Sequence, residues 1–590
     1  MRHNSAGADH TRQGIPISMK PVRLPASATL ALPRSGLFAL ALLYILPGLF
    51  GRDPWKNDDA SSFGIIWTMA HGGLADWLAP HVAGLPMPQE GPLSFWIGAL
   101  CVKLFGGLIG DVLASRIAAI GFFLLGVLSV WYATYLLGQR SDAQPLRLAF
   151  GGQPEPADYG RTLADGATLI YLGFLGLLVH SHSSTAGALM VSLIAFALYA
   201  AARLFQNRSP GMVAAFGLAL GAMALTRGVV LPIALGVSVL ALAARRDRVL
   251  LLQLLSLALP LALALPAAWA LACSLVQPLG RHPYEDWLAW NRQLIGLPVM
   301  DSLRYVMKNA IWFAWPAWPF AGWAVYAWRK QWHTLHILLP LMFLVVATVL
   351  ALLDPAANEN ILLALLPPLA ILAAFGLPTM KRGAINAVDW FSVMTLSTCA
   401  AFIWVGWVAK QTGWPAQLAR NAFKLAPGFK PEFSWITFLI AAAATACWFV
   451  LVNWRISRRP QVLWRAVVLS SGGVILCWLL LMTLWLPWGN YMKSYAGVAQ
   501  QIAVALPPTA QCVSSDVGPA QRASFAFFGQ IPFSREVNRR CDLLLLQDKA
   551  RNGDTAEVLL ERNGEPWQLL WQGHRPADRD ERYRLYRRLR

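Results

Sequence analysis

Charge is what this chain has least of. Only 13% of its 590 residues are Asp, Glu, Lys or Arg, against about a quarter in an ordinary soluble domain. So few charges cannot clothe a water-exposed surface of this size, which excludes a large soluble helical protein. Acidic residues are the scarcer kind, 30 against 49 basic ones. No compact basic domain stands out, so the net charge of +19 does not mark a nucleic-acid binder. Seven cysteines are scattered along the chain without the close spacing of a metal cluster. Internal repeats and low-complexity tracts are missing too, which removes solenoids and spacers.

What the sequence has instead is apolar length. It is 56% hydrophobic and holds 27 Trp. Stretches long enough to cross about 30 Å of hydrocarbon as helix recur at 36–51, 112–138, 163–180, 187–204, 211–225, 229–244, 249–273, 303–328, 334–353, 361–379, 391–409, 435–453 and 466–488. These thirteen spans predict an all-α polytopic membrane protein. The apolar segment 92–108 contains Lys103 and several glycines and reads as a helix lying in the interface or re-entering.

Lys and Arg mark alternate loops: Arg140 and Arg147, then Arg203 and Arg208, Arg245 and Arg246, Arg329 and Lys330, Lys381 and Arg382, Arg455 and Arg458. The positive-inside rule then puts the N-terminus in the cytoplasm and, after an odd number of spans, the C-terminal 490–590 segment outside. Much of the positive charge records this topology and contact with anionic membrane lipids. Residues 1–35 are polar and basic and read as disordered cytoplasmic chain. The first apolar run has no clear cleavage site and reads as a retained signal anchor.

The last hundred residues change character. "QCVSSD", "CDLLLLQD" and "WQLLWQG" are short strand-like runs, and "GPAQRASFAFFG" reads as a short helix ended by Gly529. A small α/β domain is expected, closed by the charge-rich terminus as a last strand or helix. Five cysteines lie in apolar segments as packing residues. Cys512 and Cys541 each open a strand-like run, and outside the membrane they can form a disulfide. Two unrelated thiols is the other reading.

The first outer loop, 52–91, opens with "GRDPWKNDDASSFG". Asn57 or Asp58 can cap a helix in which Phe63, Ile66, Trp67 and Ala70 share one face, an amphipathic helix on the membrane surface. Capping alone accounts for adjacent carboxylates at Asp58 and Asp59. The alternative is a general base, or a ligand for a divalent cation, held beside an amphipathic substrate.

"GRDPWKNDDA", then "DWLAPHVAGLPMPQEGPLSFWIGALCVKLFG", then "SRIAAIGFFLLG" together resemble the first-loop signature of the lipid A aminoarabinose transferases and their protein O-mannosyltransferase relatives, membrane glycosyltransferases of the GT-C fold. "LGAMALTRGVVLPIAL" is similar to that family's short Thr-Lys-Gly turn, and "ENILLALLPPLAILAAFG" to the segment entering a late helix. The resemblance implies about thirteen transmembrane helices in a bacterial-type inner membrane and a sugar donor carried on polyprenyl phosphate. It further implies a lipid A, envelope glycan or protein acceptor. By this likeness Asp58 is the acidic residue that activates the acceptor or binds metal, and Asp59 is its acidic neighbour. The sequence departs from the pattern at Ser61, where Arg is usual, at Gln89 and Glu90, where Glu-Lys is usual, and at Gly187, where a second acidic residue is usual.

The resulting site has Asp58 as base or metal ligand, supported by Asp59 and Glu90, with Arg227 and Lys56 on the donor phosphate. His182, His282 and Glu359 are candidates for the acceptor or the cavity wall. Each has a plainer reading: Arg227 as a lipid anchor, the histidines as helix-end or loop polar groups, Glu359 as an interfacial carboxylate. A catalytically inactive lipid-binding relative is the alternative function. A transporter would place ionisable groups at mid-membrane, where this chain has few.

Overall fold

The computed structural model describes residues 22–147, 152–277, 282–297, 299–356, 358–458, 462–535, 541–549 and 566–589. Among them, nine helices are long and apolar enough to cross a membrane, the first being Asp111–Gly138 and the last Arg465–Leu484. The four other expected spans are helical but short or broken. Arg34–Ile45 has 12 residues, while Pro156–Leu172 and Val230–Arg246 have 17 each. The expected 303–328 span is two helices, Met300–Phe313 and Ala317–Ala327. They part at Pro316, which has no N–H for the ladder and excludes the preceding residue from helical geometry.

Residues 22–35 correct the expectation of a disordered start. Val22 is fully buried and its carbonyl accepts from Leu146 N at 2.9 Å. Leu32 N donates to Asp165 Oδ2 at 2.8 Å, and Trp131 Nε1 donates to Asp165 Oδ1 at 3.0 Å. A carboxylate buried within a bundle needs such donors, and the N-terminal segment supplies one.

The Asp58–His71 helix also differs from the expectation. It does not lie on a membrane with one wet face, because ten of its fourteen residues are buried. One side packs on the Leu93–Ile109 helix, where a Cβ on Gly98 would fall 2.6 Å from Ile66 Cδ1. The other packs on Pro519–Phe528 of the C-terminal domain, where a Cβ on Gly64 would fall 2.4 Å from that of Ala523. Two missing side chains let three helices stack. The Leu93–Ile109 helix keeps an outward apolar face of Leu100, Leu104 and Leu108.

The C-terminal domain is a four-stranded mixed sheet. Strands Val513–Ser515 and Leu543–Lys549 run parallel, with Val513 beside Leu543. Asp578–Arg588 pairs antiparallel with Leu543–Lys549 on one edge and with Trp567–Arg575 on the other. Cys512 and Cys541 are joined by a disulfide, with Cα atoms 5.5 Å apart. Buried Arg522 ties this domain to the first outer loop: it donates to Ala83 O at 2.8 Å and to Ser534 O at 2.7 Å. The small domain thereby roofs the loop that carries Asp58 and Asp59.

Candidate functional site

The two adjacent carboxylates have separate fates. Asp59 faces inward. Its Oδ2 accepts from Trp55 N at 3.1 Å and lies 3.4 Å from Arg52 Nη2 and 3.6 Å from Arg116 Nη2. Arg52 is fully buried and reaches His182 O at 2.7 Å. Arg116 donates to Leu49 O, Arg52 O and Asp53 O. This cage fixes residues 49–59 against the Asp111–Gly138 helix, so Asp59 organises the loop.

Asp58 faces outward and is exposed. It opens its helix directly after Asn57, whose φ of 72° is a costly geometry for a residue with a Cβ. Its Oδ2 accepts from Asn360 Nδ2 at 3.0 Å. Asn360 Oδ1 is buried without a hydrogen-bond partner and stands over Gly187, where an added Cβ would fall 2.5 Å from it. The position that the resemblance gives to a second acidic residue is therefore filled from another helix by an amide.

Glu90 is brought to Arg227, as expected of neighbours on one site. Arg227 Nη1 donates to Glu90 Oε1 at 3.2 Å, with side chains 21% and 12% exposed. Glu90 Oε2 is buried and has no hydrogen-bond partner. Burial pushes the Glu90 carboxyl up to about 7 against the pull of Arg227, and Asp58 adds to the rise. Cavities open on both sides of the pair. Glu90 lines a small one together with His81, Trp269, Asp286 and Trp287. Arg227 lines another, apolar along Met190, Leu231, Leu294 and Leu350 and polar at Asp354 and Asn360. Gln89, the residue before Glu90, turns to Met87 Sδ at 3.8 Å instead.

The remaining candidates scatter. His182 is fully buried, with Nε2 2.8 Å from Tyr44 O and 3.1 Å from Trp478 Nε1, so it packs helices together, and it does not line either of the cavities beside Glu90 and Arg227. His282 is exposed beside the Tyr284 ring, and no contact joins it to Asp58; Arg281 lies outside the described residues. Glu359 is 66% exposed and 3.8 Å from His180 Nε2. Lys56 meets a residue that sequence reasoning missed: its N–H donates to Lys493 O at 2.9 Å, and Lys493 Nζ stands 4.7 Å over the Trp55 ring. Burial, then Arg52 and Lys56, hold the Lys493 ammonium below its usual value. Asn360 was missed as well, although it sits beside Glu359 in the quoted "ENILLALL" run. Arg116 announces itself only as an arginine six residues into a 28-residue apolar helix.

The helical body, the outer loop folded back on its carboxylates and the small sheet domain roofing that loop together make up a GT-C fold. Among solved structures the chain is similar to ArnT from Cupriavidus metallidurans. With that protein's crystal structure bound to undecaprenyl phosphate it shares a TM-score of 0.65 at 16% identity, over 93% of this chain and 97% of that one. With the apo structure the TM-score is 0.62 at 15% identity, over the same shares. A more distant likeness, TM-score 0.42 at 12% identity over 83% of this chain and 63% of that chain, is to the archaeal oligosaccharyltransferase AglB from Archaeoglobus fulgidus. No family model matches the sequence, and no curated protein matches it.

Proposed function

We propose that this chain transfers a sugar from a polyprenyl-phosphate donor to a lipid A, envelope glycan or protein acceptor at the outer face of a bacterial inner membrane. The observation that carries the reading is the slot that Arg227 lines. Its wall is largely apolar, as suits a prenyl chain, and includes Arg227 and Asn360, and Asn360 also holds the exposed carboxylate of Asp58. The likeness to ArnT, crystallised with undecaprenyl phosphate, favours the same class of donor. The alternating cations favour an outward-facing site.

The chemistry follows from these groups. The acceptor oxygen attacks the anomeric carbon, the bond from that carbon to the phosphate oxygen breaks, and the electron pair leaves with the phosphate. Arg227 supplies a planar cation for the departing oxyanion. Asp58 takes the acceptor's proton as general base. A divalent cation would find one free carboxylate here. Among the described residues no three His, Cys, Asp or Glu side chains stand together as a ligand set, so the residues do not fit a caged metal and no step is routed through one.

Mass spectrometry of envelope glycolipids and glycoproteins, from cells with and without the gene, tests the reading. One sugar-modified species is expected to vanish with the gene, and identical spectra would refute the transfer. In the same cells a membrane-impermeant thiol reagent should label Val504→Cys, a site 89% exposed in the C-terminal domain.

A further inference from the structure

Arg227 serves two anions from one place. It is the ion-pair partner of Glu90, and it lines the slot in which the proposed function seats the donor's phosphate. With both anions present and ionised, a buried pocket would hold two negative charges against one guanidinium, with Asp58 adding a third. Low-dielectric surroundings make that arrangement costly. Glu90 is the group able to give way, because one of its oxygens already lacks a partner.

We propose that the donor's phosphate replaces Glu90 as the counter-anion of Arg227, and that Glu90 takes up one proton as the headgroup seats. This rests on the donor assignment above. The proton arrives from solvent by way of the small cavity that Glu90 lines, and the product is a neutral carboxylic acid whose O–H can donate toward the phosphate. Glu90 is thus a positioning residue: it keeps Arg227 aimed at the mouth of an empty slot and withdraws its charge when the slot fills. The free carboxyl, pushed up to about 7, needs little further help to protonate, and losing Arg227 to the phosphate raises it again.

The charged groups around Glu90 come from several elements. Arg227 ends the Pro210–Arg227 helix and Asp58 begins the Asp58–His71 helix. His81 and Asp286 stand on the cavity wall. His81 is held by Asp76 at 2.9 Å, and Asp76 also lies 3.7 Å from Arg535. Beyond Arg227 lie Asp354, on the slot wall, and the His180–Glu359 pair.

The test is calorimetric binding of farnesyl methyl phosphate to the full-length chain in lipid nanodiscs, between about pH 5.5 and 8.5. This diester keeps one negative charge throughout, so its own titration does not intrude. Because the bound state holds the extra proton, Kd should be level below about pH 7 and rise toward tenfold per pH unit above it. Buffers of unlike ionisation enthalpy should then report close to one proton taken up. Glu90→Gln, neutral at every pH, should bind with a flat profile while His81 and Asp286 remain in place. A flat wild-type profile, or an unchanged slope in Glu90→Gln, would overturn the exchange. Arg227→Gln separates the two claims. If it binds the probe as well as the wild type, the phosphate assignment falls and the exchange with it; if it loses binding while the wild-type profile is flat, the exchange alone falls.

Discussion

The first outer loop joins carboxylate to arginine at both of its ends, and the two ends differ in everything else. At the 49–59 end, Asp59 lies between Arg52 and Arg116, and the arginines spend further donors on the carbonyls of residues 49, 52, 53 and 182. At the 90 end, Glu90 meets Arg227 through one oxygen, keeps the other without a partner, and has a cavity on either side of the pair. Backbone partners commit a buried charge to holding the chain. Orphaned atoms occur at both ends, Arg52 Nε and Nη1 at the clamp and Glu90 Oε2 at the other. It is the open space beside Glu90 that leaves its charge available to something that arrives. The same pairing chemistry therefore builds a clamp at one end and a site at the other.

The largest effect is expected at the clamp. Asp59→Asn keeps an oxygen for Trp55 N but leaves two arginines, with side chains 0% and 4% exposed, without their shared counter-charge. Removing one partner of a buried pair costs about 3–5 kcal/mol. The variant should lose most of its monodisperse folded protein in a temperature series in detergent. A melting curve like the wild type's would erase the distinction between the two ends.

Its neighbour should behave oppositely. Asp58→Asn sits at an exposed helix start and can still accept from Asn360, so the melting curve should not move. Sugar transfer in purified protein should fall by about 10²–10⁴, the usual worth of a general base. Near-normal transfer would sink the assignment of Asp58 as base.

How much of this was legible beforehand depended on range. The helices came from apolar length, and the breaks at Pro316 and after Leu172 were lost because hydropathy averages over them. The tail's strands, its helix and Cys512 with Cys541 were readable because each signal is local. Asp58 and Asp59 could be found but not told apart: adjacent residues on a helix point about 100° apart, and the inward one is held jointly by nearby Arg52 and by Arg116, more than fifty positions away. Asn360 was invisible for the same reason, since its partner lies 302 residues upstream. The amphipathic reading of Asp58–His71 failed because its second face is covered by Pro519–Phe528, a contact no local pattern encodes. Loops meeting loops across the chain make the site, and periodicity reports on neither.

The smallest effect, and the finest probe of the open end, concerns Asn360. Its amide holds Asp58 at 3.0 Å and its Oδ1 is pressed toward Gly187. A hydrogen bond to a charged group is worth about 1.5 kcal/mol at the low end, and Asp58 is exposed, so Asn360→Ala should cost transfer about tenfold. Gly187→Ala should act through the same bond: its new Cβ would stand 2.5 Å from Oδ1 and force the amide away from Asp58. The same Cβ would also stand 2.9 Å from Leu363 Cδ1 in the core, where overpacking costs about 1–3 kcal/mol. A melting curve of Gly187→Ala must therefore stay like the wild type's for its lost transfer to count. The double variant decides the matter. If both changes act on one contact, Gly187→Ala adds little once Asn360 is alanine, and the coupling energy is close to the whole effect of either. Independent, multiplying losses would instead place Gly187 in a role separate from the Asn360–Asp58 contact.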